Sequence, residues 1–344
     1  DLSKASDWTG GTVDGTILTF TADKVTYKYN TQANNASYRS VEFTLTPGIA
    51  IAINDTNFPD AKFRSYVATT FDKDNDGVLL SETELATVRK LEIQYKGISN
   101  LKGIEYFTEI DTLFCDGNDL TAFDLSKNTK LKDLDFDSNA FTTVDLSAYP
   151  SLERISCKSN KLTALNLAGC TNLTFLDCSS NKLTQLDISR NMKLAQLSCY
   201  SNQLTTLDIS NQTALVDLSC NNNAISTLDT SKNPLLRTLI TNKTKLSRID
   251  LSANPALYEL NVSECQLSVL DISNNPELGK LTCPFNKLAY LNTSRNPKLT
   301  KLLCGYNTQL QAMDVTGNPL LNDLQFQSCA IRSIDLSKNT ALAT

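Results

Sequence analysis

The stretch Leu176-Asp177-Cys178-Ser179-Ser180-Asn181-Lys182-Leu183-Thr184-Gln185-Leu186-Asp187-Ile188-Ser189-Arg190-Asn191-Met192-Lys193-Leu194 decides the fold, because its pattern returns every 21 residues. Leucine or isoleucine recurs at Leu113, Leu134, Ile155, Leu176, Leu197, Leu218, Leu239, Leu260, Leu281 and Leu302. One extra residue near Thr308 moves the next to Leu324, and Leu91 lies 22 residues before Leu113. Side chains alternate along a strand, so Leu176 and Cys178 point to one side and the residues between them to the other. Leu183, Leu186, Ile188 and Leu194 point inward along the rest of the coil. One such coil cannot bury its apolar residues, whereas a stack of about twelve can. At a strand spacing of roughly 4.8 Å the stack carries a parallel sheet about 55 Å long. A unit this short has no room for a long outer helix, so extended or 3₁₀ pieces are expected there.

Two polar columns share the period. Asn181 leaves the strand at a position where it can satisfy backbone groups of the turn. Aspartate or asparagine recurs at Asp124, Asp145, Asn166, Asp187, Asp208, Asp229, Asp250, Asp271, Asn292, Asp314 and Asp335, usually with Ser or Thr two residues later. Asx and ST turns account for both positions, and a ladder this regular points to folding rather than to metal binding or acid–base chemistry. The ten cysteines obey the same arithmetic. Cys115, Cys157, Cys178, Cys199, Cys220, Cys283 and Cys304 form one inward column, Cys265 and Cys329 take the turn-Asn position, and Cys170 takes the position of Asn191. In-register parallel strands hold Cβ vectors parallel, which suits a disulfide poorly, so buried free thiols acting as small hydrophobes are expected.

Two segments precede the coils. Residues 1–50 alternate apolar and polar around "TILTFTADKVTYKYN" and "YRSVEFTLTPGIAIAI", which read as strands joined by a "TQANNAS" loop; their role is opaque. Residues 51–90 read as a helical cap, which the first coil requires because its core would otherwise face water. Phe58-Pro59-Asp60 opens a helix carrying Phe63, Tyr66 and Val67. Asp72-Lys73-Asp74-Asn75-Asp76-Gly77-Val78 then follows the first half of an EF-hand loop, with Asp72, Asp74, Asp76 and the Val78 carbonyl in ligand positions. The twelfth position is Thr83, and Glu84 sits one place late. The segment therefore has two readings, a calcium loop closed by Glu84 and an acidic turn followed by a Ser81–Glu84 capping box. No cofactor beyond that ion is required. The chain opens at Asp1 without Met or a signal peptide, as a mature or trimmed form does, and no cap closes its carboxyl end within the 344 residues.

Composition removes several function classes. The net charge is −5, which offers no basic footprint for nucleic acid or anionic lipid. No apolar run approaches the roughly 18 residues of a membrane span. Histidine is absent, so Ser-His and Cys-His nucleophiles and His metal ligands are excluded.

The unit "LxCxxNxLTxLDxSxN" resembles the 21-residue cysteine-ladder subclass of bacterial internalin-type leucine-rich repeats, over about residues 91–342. The resemblance implies an α/β-type repeat solenoid: a right-handed coil with a parallel concave sheet and an N-terminal helical cap, spanning 91–344. It also implies an extracellular, surface-anchored recognition or adhesion module, expected to be a monomer, that binds protein or glycan and is no enzyme. A carboxylate-based hydrolase and a spacer presenting another domain are the alternatives. No ligand residues transfer from the family.

Repeat folds usually bind on the concave sheet. Its exposed columns are polar and rich in Ser and Asn, with few anchors. Asp116, Asp133, Asp135 and Asp137 cluster on adjacent rungs. Phe285 and Tyr306 occupy the same position of neighbouring rungs, beside Leu303, Lys280 and Lys301, and Phe175 and Tyr200 lie further back. Exposed aromatics with cations are hot-spot chemistry. The competing account is a stabilising ladder pair, with Lys280 and Lys301 merely offsetting Glu259 and Asp323.

Overall fold

The computed structural model describes residues 49–80 and 84–342 and, before them, only five strands at Trp8–Thr9, Gly11–Asp14, Ile17–Phe20, Lys24–Asn30 and Tyr38–Thr44. Lys24–Asn30 pairs antiparallel with Trp8–Thr9 and Tyr38–Thr44, as its alternation predicts. The expected loop at 31–37 and the capping-box serine at 81 lie outside the described residues.

The repeat builds one 12-stranded parallel sheet running from Lys90–Glu92 to Asp323–Gln325. Each strand is three residues long, and its central leucine or isoleucine is buried in every rung but the last. The register is strict: Leu134 pairs with Ile155, Ile155 with Leu176 and Leu176 with Leu197. Such in-register stacking lines the inward positions of all coils into one continuous core. On the outer side the chain is extended or turned. Two short parallel pairs form there, Thr143–Asp145 with Ala164–Asn166 and Tyr290–Asn292 with Ala312–Asp314. A 3₁₀ turn, Ile104–Tyr106, appears beside the cap.

The helix Ala61–Phe71 closes the amino end. Phe63 and Val67 are fully buried, and Phe58 packs on Phe63 and on Tyr106 of the first coil at ring distances of 5.9 and 5.8 Å. Asp60 joins the two parts. Its Oδ1 caps the helix by accepting from the N–H groups of Lys62 and Phe63, and its Oδ2 accepts from the N–H and hydroxyl of Ser99. Burial alone would raise the Asp60 carboxyl, but these bonds outweigh it and hold it below the usual value.

Candidate functional site

Two devices hold the sheet face in place. The first is the turn asparagine. Asn181 Nδ2 donates to the carbonyls of Cys157 and Cys178, at 2.9 and 3.1 Å, while its Oδ1 accepts from the Leu162 N–H at 2.9 Å. Each such side chain therefore bonds its own coil and the coil before it. Asn139, Asn160, Asn202, Asn223, Asn286 and Asn307 repeat the arrangement. The second is the residue just before the asparagine, which takes a left-handed backbone in successive rungs: Ser138, Ser159, Ser180, Ser201, Asn222, Lys243, Glu264, Phe285 and Tyr306 all have φ between 51° and 58°. Gly117 fills this position in its rung, where a Cβ would run into the Tyr95 ring. A bulky residue is uncommon at such a φ, and three aromatics take it: Tyr95 on the first rung and the neighbours Phe285 and Tyr306. Sequence reasoning missed this column, although its Ser, Asn and Gly content at a fixed period was a usable signal.

Side chains in that column pair from rung to rung. Asn222 donates to the Ser201 hydroxyl, Lys243 meets Glu264 at 3.6 Å, and Phe285 stacks on Tyr306 with centroids 4.3 Å apart and planes 6° from parallel. Both rings remain well exposed, at 51% and 42%. Leu303 lies half-buried on the sheet of the same rungs. Lys280 is bonded to Glu259 at 3.1 Å and Lys301 to Asp323 at 2.9 Å, so both lysines have carboxylate partners within the sheet. Phe175 is likewise occupied, with the Arg154 guanidinium 4.0 Å above its ring and Asp133 within 3.8 Å of the same arginine. Tyr200 is half-buried at mid-sheet.

The acidic rungs form a second feature. Partial burial, only partly offset by the Asp137 N–H, pushes the Asp135 carboxyl to about 6, and the charges of Asp137, Asp116 and Asp133 add to the effect. Burial also raises Asp133 against the pull of Arg154, and Asp137 against bonds from the Ser156 hydroxyl and the Lys158 N–H. Asp116 raises the Tyr95 phenol.

In the cap loop, carboxylate oxygens of Asp72, Asp74 and Glu84 lie within 4.8 Å of one another, close enough to share an ion. Asp72 also accepts from the N–H groups of Asp76 and Gly77, and Glu84 accepts from the Lys73 N–H. Asp76 turns to the Val78 N–H at 2.8 Å and stands outside the three-carboxylate group. Val78 begins the strand Val78–Leu80, which pairs with Ala50–Ala52 and anchors the loop.

All ten cysteines are free thiols, nine buried and Cys329 half-buried. Burial pushes Cys170, Cys220 and Cys304 up to about 12, which leaves them protonated and unreactive at neutral pH. Among the described residues no helix is long and apolar enough to cross a membrane.

No family model matches the chain. Internalin J of Listeria monocytogenes serotype 4b is 35% identical over 122 residues, which is 34% of this chain and 13% of that protein. A solved structure described as a functional domain of InlJ from Listeria monocytogenes that includes a cysteine ladder is 35% identical, with a TM-score of 0.82 over 87% of this chain and 66% of the other. The internalin InlF structure from the same species shares the fold at 21% identity, with a TM-score of 0.68 over 86% of this chain and 97% of that one. The chain thus spans a small part of the curated relatives and about two thirds of the InlJ domain. With the 21-residue period, the thiol column and the N-terminal helix in place, the repeats of this chain belong to the internalin-type leucine-rich-repeat family, in its cysteine-ladder form.

Proposed function

We propose that this solenoid is a recognition module of the bacterial cell surface or its exterior, binding a protein or glycan through its long sheet, and that it is no enzyme. The observation that carries the proposal is the stacked pair Phe285–Tyr306, which stands exposed beside Leu303 on a mostly polar face. An exposed aromatic pair beside an apolar residue suits an interface anchor. Lys280 and Lys301 are held by Glu259 and Asp323, so they position the rim and contribute charge only by leaving those partners. The regular aspartate column lies away from the sheet and is engaged in turns, and no histidine is available anywhere in the chain, which disfavours the hydrolase alternative. Tyr306→Ala is expected to weaken a ligand centred on the pair by about 2 kcal/mol or more, measured by calorimetry, with the fold intact. Equal affinity for wild type and variant, once a ligand is in hand, moves the site to another part of the face.

We also propose that the cap loop takes a calcium ion through Asp72, Asp74, Glu84 and the Val78 carbonyl, with Asp76 joining after a side-chain rotation. The grouping of three carboxylates in an EF-hand-like loop supports this. Calcium added to chelator-treated protein should raise the melting temperature through mass action. Asp72→Ala with Asp74→Ala should abolish the increment, and an unchanged wild-type melting temperature overturns the proposal.

A further inference from the structure

At mid-sheet the polar groups are left over. Towards either end of the sheet, the exposed side chains satisfy one another: Asp133 with Arg154, Asp137 with Ser156, Asn261 with Ser263, Glu259 with Lys280 and Lys301 with Asp323. On the strands of Leu197, Leu218 and Leu239, among the described residues, one such pair remains, Gln196 with Asp217. Among the described residues, the side chains of Ser198, Tyr200, Ser219, Asn221 and Asn242 form no hydrogen bond with the protein, and all five are half-buried. The one carboxylate there, Asp217, accepts from Gln196 at 2.9 Å. Among the described residues, these strand positions therefore offer hydroxyls, two free amides, one ring and the apolar Ile240, with no cation on the strands themselves; Arg237 stands just before the third of them.

We propose that these three rungs are a subsite for a neutral oligosaccharide, a proposal that rests on the sheet face being the recognition surface and names what it recognises. Each free amide supplies an acceptor and two donors in one plane, which matches a pair of vicinal sugar hydroxyls. Rungs roughly 4.8 Å apart place Asn221 and Asn242 side by side, a spacing close to the length of one hexose. The Tyr200 ring, one rung away, presents a flat apolar surface to the C–H face of a sugar and a hydroxyl at its edge. Groups already half-desolvated by the sheet and not spent on protein bonds lose less on binding than groups that must first be released. A protein interface would call for aromatic and arginine anchors, and these strand positions hold a single aromatic and no arginine. An anionic sugar would meet Asp177 and Asp217 on the strands, where no cation offsets them.

The test uses the whole chain with two probes, a neutral N-acetyllactosamine tetrasaccharide and its sialylated form, read by saturation-transfer NMR and titration calorimetry. The neutral probe should bind, and the sialylated probe should bind several-fold more weakly. Asn221→Ala and Tyr200→Ala should each weaken the neutral probe about tenfold or more, with Asp135→Ala, on a rung outside the three, as a control that changes nothing. Both variants alter only half-exposed side chains, and their melting temperatures confirm folding. No transfer from either probe, or equal affinity for the two, overturns the proposal. So does a loss that follows Tyr306→Ala and spares Asn221→Ala. If neither sugar binds while Tyr306→Ala weakens a protein ligand, the sugar subsite fails and sheet-face recognition stands. A ligand whose affinity survives both Tyr306→Ala and Asn221→Arg sits off the sheet, and that outcome removes the broader proposal as well.

Discussion

Asp187 lies on the side of the coil away from the sheet, where one carboxylate oxygen accepts the Ser189 N–H at 2.9 Å and holds the carboxyl below its usual value. Asp135 lies on the sheet, accepts the Asp137 N–H at 3.0 Å beside a cluster of like charges, and is pushed up to about 6. The first belongs to a column of nine aspartates, from Asp124 to Asp335, each accepting from the N–H two residues on and each lowered. The second belongs to a group of four set by no turn. The same residue type thus stabilises the fold on one side and is tolerated at a cost on the other; both accept the N–H two residues on, and what separates them is burial and like charge around Asp135 against the exposed, Ser189-bonded site of Asp187. Carboxylates that the turn uses have a folding role; carboxylates carried against their own titration mark the places where the face is free to vary.

The sharpest way to break this contrast is acid. Lowered carboxylates stabilise the fold above about 3.8, their unfolded value, and that contribution disappears as pH falls through their lower folded values. The melting temperature should therefore drop steeply below about pH 3.8. Asp187→Ala with Asp208→Ala should cost about 0.5–1 kcal/mol per site at pH 7, the range of a lost turn cap, and much less at pH 3 by denaturant titration. A double variant as stable as wild type at pH 7 would show that the column is ornament. A smaller effect of opposite sign tests the sheet side. Asp135 favours the fold fully only below 3.8, and that favour is lost as pH rises through about 6. Asp135→Asn should then stabilise the protein at pH 7 by about 1 kcal/mol after allowing for solvent screening, and change nothing at pH 4. The smallest effect is ionic. Salt at 0.5 M should raise the wild-type melting temperature slightly at pH 7 by screening the acidic rungs, and the increment should shrink in Asp135→Asn.

How much of this could be read from residues alone depends on whether a position repeats. Leu176, Cys178, Asn181 and Asp187 recur at fixed offsets, so strand, thiol column, turn bond and Asx turn were all legible before any coordinates. The helix was equally plain from Phe63, Tyr66 and Val67. Asp60 was not: its bond to Ser99 spans 39 positions and has no counterpart in any other coil. The pairing of Lys280 with Glu259 stood in the sequence as one of two accounts, since a rung-to-rung neighbour is known once the period is known. The freedom of Asn221 and Asn242 was hidden, because it depends on every neighbouring donor and acceptor being already engaged.

The turn asparagine has a mechanical consequence. Thr244 and Cys265 stand in its place on two consecutive coils, and what they form instead is a hydroxyl–thiol contact at 3.3 Å and weak sulfur contacts at 3.5 Å. The same two coils carry Thr241 and Val262 in the thiol column, with the Thr241 hydroxyl buried and unpartnered. The turn-asparagine rivet is thus missing twice in succession, and the second asparagine ladder, through Asn254 and Asn275, still joins these coils. Pulled end to end, the sheet side of the rod is expected to loosen at this seam first, where the side-chain bonds between coils are weakest.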